Sequence, residues 1–544
     1  MDWIEFRELP AAAGGFTHLF LDYLQNSPGL SEFFAGRYRD PASYAAVMEA
    51  ISRRQPDRTT LVSVLEEQNA GAGPRTQENI ESLRSGSTFA VVTGQQVGLF
   101  GGPLYTILKS LTTVKLAAWL KQRFPSVDVV PVFWVEGEDH DFAEVHGTHV
   151  LNAEGVVSRI EYLPGGEIPE RNLGAVGEIA FETSLDATYE ALAAALQPTE
   201  FTPGVLASLR SHYRPGATFG AAFVGWMREL LPDTGLVFLS ANDPRIKRIL
   251  SPLFQQEVRT FPQSSQLVIT QSAALEQEYH AQIKAKSLNL FMFHKGGRYL
   301  IEPREADFSL KGTRHFIPPE ELRRIAAETP EVLSTNVVLR PLAQDTVLPT
   351  IAYVGGPAEI AYHAQLGPVY EHFGVTRPVV YPRASASFVE QRLQRAMEKY
   401  ELRLQEFFGD VNRISARVLE SISEVKLDAL FAETGNQIRA ALEALKFGLR
   451  EVDPTLLGTH ENTVQRIEGS LNVLKEKAIA AQKRRNEVAI RQIEKAVNGL
   501  LPNGGLQERE LNVVYFLNKY GPAFMSKLVR DLDITEAKHQ VIIP

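Results

Sequence analysis

Directly after the apolar run Val132-Phe133-Trp134-Val135, the chain reads Glu136-Gly137-Glu138-Asp139-His140-Asp141-Phe142-Ala143-Glu144, with five carboxylates and a histidine in nine residues. A loop of this kind past a buried strand has three chemical uses. It can hold an ammonium group, hold magnesium beside nucleotide phosphates, or move protons. Asp139 and His140 are the candidate catalytic groups, and Glu138 and Asp141 the candidate ligand-holding groups. Magnesium takes one or two carboxylates and keeps several waters, so no complete cage is required. The plainer reading is a polar loop that caps the helix after it. His140, His146 and His149 match no zinc spacing, and no metal-ligand set is assigned.

A second cluster is Gly94-Gln95-Gln96-Val97-Gly98-Leu99-Phe100-Gly101-Gly102-Pro103, which follows the apolar run Phe89–Val92. Strand, glycine loop and helix start together can cradle an anion, because backbone N–H groups and the helix dipole converge there. Gly94, Gly98, Gly101 and Gly102 are the candidate cradle, with Tyr105 and Lys109 on the helix that follows. The spacing matches neither the dinucleotide fingerprint nor the P-loop, and the alternative is a turn that lets strand and helix pack closely. Gln95 and Gln96 are amides that donate and accept at a strand end, where open α/β sheets bind ligands, and Gln96 joins the catalytic candidates.

Two further clusters end apolar runs. Asn242 and Asp243 either contact a ligand or cap the helix that Pro244 opens. Arg340 can fork onto a carboxylate or phosphate, or pair with Asp345. Beyond the apolar run Ile351–Val354, Glu359 can steer an amine or act as a base, beside Tyr362. Tyr381 and Arg383 end the last candidate strand and complete a ring of polar groups. Lys295-Gly296-Gly297-Arg298 reads as a hairpin turn and not a phosphate loop. Met525-Ser526-Lys527 resembles part of the class I aminoacyl-tRNA synthetase lysine loop, but it is incomplete and far from the core strands, and no role is assigned to it.

These groups need a common frame. Candidate strands are Phe89–Val92, Val127–Val135, Leu236–Ser240, Leu290–His294, Ile351–Val354 and Pro378–Tyr381. Continuous apolar runs alternating with helical patterns predict an α/β, mostly parallel, doubly wound sheet. Residues 1–85 read as a helical segment, 86–385 as the α/β catalytic core, and about 150–225 as an insertion within it. Past Phe388, Leu393, Met397, Tyr400, Leu404, Phe407, Val411, Ile414, Val418, Ile422 and Val425 recur in steps of four and three. Val464, Ile467, Leu471, Leu474, Ala478 and Ala481 form a second seam. A long antiparallel helical hairpin over 386–505 is expected, turning near Pro454 and Gly458, with a helical bundle folded against the parent domain as the alternative. One such hairpin leaves apolar surface for a second copy. Pro502-Asn503-Gly504-Gly505 ends it, and 506–544 is expected to return to the core.

A chain of 544 residues exceeds one core and implies two or three domains. The 44% hydrophobic and 22% charged content is that of a globular protein. A net charge of −9 provides no global positive field for nucleic acid. With no cysteine, disulfides, thiolate metal sites and cysteine nucleophiles are excluded. The charged N-terminus Met1–Glu8 is no signal peptide, no apolar run is long enough to span a membrane, and a cytoplasmic location is expected.

The segments TGQQVGLFGGPLYTILK and PVFWVEGEDHDFAEV (Pro131–Val145) resemble the bacillithiol biosynthesis cysteine-adding enzyme family, the cysteine ligases. Leu339–Leu366 and Leu506–Asn512 extend the resemblance over essentially the whole chain. It implies a Rossmann-like core, a coiled-coil arm that makes a homodimer, and the last step of bacillithiol synthesis, in which cysteine is joined to glucosaminyl-malate. Carboxylate and amine do not condense unaided in water, so a nucleotide (ATP or ADP), with magnesium, is the expected cofactor. Arg340 and Arg383 would then bind carboxylates. A dimeric metabolite-sensing or scaffold protein that uses the arm for partners is the alternative.

Overall fold

The computed structural model describes residues 2–9, 16–53, 56–169, 171–285, 288–408, 411–423 and 425–544. The chain divides into two units. The first runs to Phe388 and takes up again at Pro502–Pro544; the second is Val389–Leu501.

The first unit is organised on five parallel strands, β1 (Thr88–Gln96), β2 (Asp128–Glu136), β3 (Val237–Ser240), β4 (Thr350–Gly355) and β5 (Val379–Pro382). Their spatial order is β5-β4-β1-β2-β3, every neighbouring pair parallel. The chain steps outward from β1 to β3, then returns to the other side of β1 for β4. The order therefore reverses at β1 and β4, the position where doubly wound sheets open a crevice at their carboxyl ends. Helices cover both faces. Alternate residues of β2 split accordingly. Phe133 and Val135 enter one core with Leu108 and Leu111 of α1 (Tyr105–Arg123), whereas Val132 and Trp134 enter the other with Leu250 of α2 (Pro244–Thr260) and Leu342 of α3 (Arg340–Val347).

The strands outlast their apolar runs. β1 continues through Gly94, Gln95 and Gln96, because its ladder with β2 stays in register to the Gln96–Glu136 pair. Leu290–His294 is not a strand of the parallel sheet. It belongs to a separate five-stranded antiparallel sheet with Gly297–Arg304, Asp307–Leu310, Phe316–Ile317 and Leu333–Thr335, inserted between β3 and β4. Lys295 and Gly296 form its first turn, both with positive φ. Between β2 and β3 lie the hairpin Gly147–Leu151/Val157–Glu161 and the helices Leu185–Ala195, Thr202–His212 and Phe219–Leu230. The C-terminal strand His539–Ile542 pairs with Asp2–Ile4 on one side and Ser385–Phe388 on the other.

The second unit differs from the expected hairpin. The seam over 393–422 is cut into three helices, Gln391–Tyr400, Leu404–Phe407 and Val411–Ile422, the first closed by Glu401 at φ +51°. Leu393, Tyr400, Phe407, Ile414 and Val418 are buried, packed with Ile493, Val497 and Leu500 of the helix Glu487–Leu500. Those apolar positions are consumed locally. The long antiparallel pair is instead α5 (Leu427–Val452) and α6 (Leu456–Arg485), turned at Asp453, whose Oδ1 accepts from Thr455 N at 2.8 Å. Arg439–Glu468 at 2.9 Å and Lys475–Asp428 at 2.5 Å cross between the two helices. Among the described residues, no helix is long and apolar enough to cross a membrane.

Candidate active site

At the carboxyl ends of β1 and β4 the crevice is a cleft of about 400 Å³. Gly94, Gln95 and Gln96 of β1 form one wall, and Tyr105 and Lys109 of α1 another. Gly356 and Glu359, at the head of α4 (Pro357–His363), and Arg340 and Tyr362 close a third side. Arg383, just past β5, and Arg509 complete the lining, together with Glu136 and Glu144. Gly94 to Gln96, Glu136, Gly356, Glu359 and Arg383 meet because each lies at the end of a strand of this sheet or at the head of the helix after one, whereas Arg340 and Arg509 reach the cleft from helices that follow no strand of it.

Lys109 is the hub. Its Nζ donates to Gly94 O and Gln95 Oε1 at 3.0 Å each and lies 2.5 Å from Glu359 Oε2. Glu359 also accepts from Tyr353 OH at 2.5 Å and from Gly356 N at 2.8 Å. Burial pushes the Glu359 carboxyl up, but Lys109, Gly356 and Tyr353 together pull it below the usual range. Burial also pulls the Lys109 ammonium down, against the Glu359 charge. A carboxylate held by three donors is a poor proton acceptor, so Glu359 positions Lys109 and does not fit the base expected of it.

The cations are oriented by aromatic faces. Arg340 lies 5.3 Å from the Tyr353 ring centre and donates to Gln344 Oε1 and Tyr362 OH, both at 3.2 Å. The expected partner Asp345 sits behind it, accepting from Tyr370 OH at 2.6 Å and Gln344 Nε2 at 2.9 Å, its carboxyl raised by burial to about 6. Arg383 lies 5.4 Å from the Tyr105 ring centre and donates to Glu508 Oε1 at 2.6 Å. Arg509 makes no side-chain hydrogen bond among the described residues, which leaves its guanidinium for a ligand.

The acidic loop borders the cleft and is largely spent on protein. Gln96 Nε2 donates to Asp139 Oδ2 at 2.8 Å, and Arg298 NH1 reaches Asp139 Oδ1 and His140 Nδ1 at 3.2 Å each. Burial would raise the Asp139 carboxyl; the bonds from His140 and Gln96 and the Arg298 charge hold it well below the carboxylate range. Glu138 is buried against Lys247 of α2, and Asp141 caps the short helix Phe142–Val145 by accepting from Glu144 N. No group of three or more metal-ligating side chains occurs among the described residues. Asp139, Glu138 and Asp141 thus anchor the loop to the protein, and Glu136 and Glu144 are its carboxylates that line the cleft.

The glycine loop past Gln96 is not an anion cradle. The N–H groups of Gly98, Gly101 and Gly102 donate to Gln96 O, Gly98 O and Leu99 O, and Gly101 N also to Tyr213 OH. Asn512 Nδ2 binds the carbonyls of Gly102 and Phe100 at 2.8 and 3.1 Å. A Cβ on Gly98 would stand 2.8 Å from Gly102 Cα, so these glycines serve close packing. Asn242 and Asp243 also lie elsewhere, lining a separate hollow of about 460 Å³. Asn242 donates to Glu178, and Asp243 caps α2 while pairing with Arg245. Tyr381 turns away from the cleft and donates to Ile534 O.

The cleft and its immediate supports include groups that carry no local sequence signal: Glu136, Tyr353 and Arg509 line it, and Arg298 and Glu508 hold Asp139 and Arg383. Glu136 was visible only as part of a crowded acidic run. Tyr353 looked like one more core residue, and Arg298 like a turn residue. Glu508 and Arg509 stood in a segment with no strand to announce it.

Residues 4–384 match the family described as bacillithiol biosynthesis BshC, N-terminal Rossmann-like domain, and residues 386–544 its C-terminal coiled-coil domain. Among curated relatives, a Salinibacter ruber protein named "Putative cysteine ligase BshC" is 40% identical over 98% of both chains. Relatives of the same name from Chlorobaculum tepidum and Koribacter versatilis are 37% and 34% identical, each over 99% of both chains.

Proposed function

The chain belongs to the bacillithiol biosynthesis BshC family, and from that premise we propose that it is an amide-forming ligase joining the carboxylate of cysteine to the amine of glucosaminyl-malate, the last step of bacillithiol synthesis. The observation that carries this reading is the gathering of Lys109, Arg340, Arg383 and Arg509 in one cleft at the strand-order reversal. Both substrates are carboxylates, and guanidinium groups bind carboxylate and phosphate in a two-pronged fashion.

A nucleoside triphosphate, with its magnesium, would supply the activation of the cysteine carboxylate, and the same cations suit its phosphates. This chain's own residues bind and orient. Arg340 and Arg383 are held on Tyr353 and Tyr105, so little freedom is lost when they clamp an anion. Arg509 supplies an uncommitted charge. Gln96, tied to Asp139, fixes the acidic loop beside the cleft. The protein works in the cytoplasm as a homodimer, paired through α5 and α6. Leu430, Leu445, Phe447, Val473 and Leu474 are all at least half exposed there and supply apolar surface for a second copy.

The test is incubation of purified protein with cysteine, glucosaminyl-malate and a panel of nucleotides, reading the condensed thiol by mass. A product that depends on one nucleotide supports the assignment. No product with any nucleotide, together with no binding of either substrate, rules it out. The scaffold alternative would be favoured only by loss of partner binding in arm variants with thiol levels unchanged.

A further inference from the structure

Three carboxylates line the cleft, Glu136, Glu144 and Glu359, and Asp139 stands beside it. Glu359 is held by Lys109, Gly356 and Tyr353, and Asp139 by Gln96, His140 and Arg298. Glu144, on the short helix at the mouth, has its carboxyl raised by partial burial, and a bond from Gln96 opposes that rise. Glu136 is different. It ends β2, the strand next to β1, in register with Gln96, and its side chain emerges on the same sheet face as Trp134. Its one hydrogen bond is from Trp134 Nε1 to Oε2 at 3.2 Å, a neutral donor, and no cation pairs with it among the described residues.

We propose that Glu136 is a catalytic residue, the group that takes a proton from the attacking ammonium of the acceptor substrate; this rests on the ligase reading. In the step it serves, Glu136 removes one proton from R–NH3+ and frees the nitrogen lone pair. The nitrogen bonds to the carbonyl carbon of the activated cysteine. The bond from that carbon to the activating phosphoryl or nucleotidyl oxygen breaks, and its electron pair leaves with the phosphate group. The second nitrogen proton goes to solvent with the departing group, and an amide remains. The co-reactant is a nucleoside triphosphate, consumed in activating the cysteine.

The surroundings suit the role. Burial raises the Glu136 carboxyl to about 7, Arg340 of α3 and Arg298 of the antiparallel sheet oppose the rise, and Glu138 and Asp139 of its own loop reinforce it. Glu144 faces the same cleft. A carboxylate poised near neutrality gains a proton from an ammonium at little cost and returns it readily, whereas Glu359 does neither. The strand end fixes Glu136 in the cleft that Arg340 also lines, within reach of the Arg340 charge.

The test compares wild type with Glu136→Gln, Glu136→Asp and Glu144→Gln over pH of about 5.5 to 9. For wild type, activity should rise with pH through a limb near 7. E136Q keeps the bond from Trp134, because its amide oxygen still accepts. Its kcat should fall by about 100- to 1,000-fold with the limb gone, and E136D should keep the limb at reduced rate. Hydroxylamine, already neutral at neutral pH, needs no proton removed, so E136Q should still form cysteine hydroxamate at close to the wild-type rate, which also shows that it folds. The proposal is overturned if E136Q keeps the limb, if the limb instead disappears in E144Q, or if hydroxamate formation falls as far as amide formation. Failure of wild type to form either product would overturn the ligase reading itself, a result visible without any variant.

Discussion

Lys109 and Glu359 meet at 2.5 Å inside the cleft, with the lysine side chain 4% exposed and the glutamate 19%. The pair ties α1 to α4 across the heads of β1 and β4, the two strands between which the sheet reverses. Its neighbours Gly94 O, Gln95, Gly356 N and Tyr353 satisfy the remaining donors and acceptors.

Removing one member should therefore cost far more than removing both. Lys109→Met strands a buried carboxylate, and about 3 kcal/mol of stability should be lost in urea unfolding of the first unit. Lys109→Met with Glu359→Gln should recover most of that loss while activity stays low. A single variant as stable as wild type would show the pair to be incidental.

Arg298 reaches from a hairpin turn to Asp139, and this latch has a pH signature. The Asp139 carboxyl lies below its unfolded value of about 4, so its contribution to stability is fully present above that pH. It is lost as pH falls through the lower, folded value. Arg298→Met should be less stable than wild type at neutral pH, and the gap should narrow progressively below about pH 4 to the part owed to the pH-independent bonds to Ser334 and Thr335. Amide exchange over residues 137–146 should quicken in the variant at neutral pH. An unchanged gap down to strongly acidic pH would assign the loss to packing of Arg298 on Phe291, 4.0 Å from the ring centre, and to its bonds with Ser334 and Thr335, and not to the charge pair.

Arg509 separates binding from stability. It makes no side-chain hydrogen bond among the described residues, so Arg509→Ala should change stability by less than about 0.5 kcal/mol. A charge-assisted bond to a substrate anion is worth about 1.5–3 kcal/mol, so KM for a carboxylate or nucleotide substrate should rise about 10- to 100-fold. Glu508→Ala is the contrast. It strands Arg383 in a buried pocket and should lower stability and activity together. Equal losses of stability in the two variants would remove Arg509 from the binding set.

These residues also mark how far the sequence could be read. β1 to β5 all announced themselves as apolar runs, and Gln95, Gln96, Lys109, Arg340, Glu359 and Arg383 followed because strand ends converge in a doubly wound sheet. Local signals could not distinguish a glycine loop that binds anions from one whose N–H groups are satisfied by its own carbonyls and by Tyr213, since those partners lie elsewhere in the chain. The same limit hid Arg298 and Arg509, whose roles depend on loops folding back from other sheets. In the second unit periodicity identified helices correctly but not which ones pair, because an a/d seam is equally served by a short bundle and a long hairpin.

The hairpin of α5 and α6 supplies the last expectation. No residue of α5 is buried, and Phe447 and Val473 are 74% and 52% exposed, with Leu430, Leu445 and Leu474 exposed beside them. A two-helix hairpin buries only one seam, and apolar side chains in water on a long helix favour association. Burying a phenylalanine at an interface contributes about 1.5–3 kcal/mol, and a two-fold contact counts it twice. Phe447→Glu should therefore weaken self-association by well over 100-fold, turning a dimer into a monomer in sedimentation at micromolar concentration. The cleft lies wholly within the first unit, so the monomeric variant should keep substrate binding. A variant that stays dimeric would place the contact elsewhere, and one that loses binding with dimerisation would mean that the second copy completes the site.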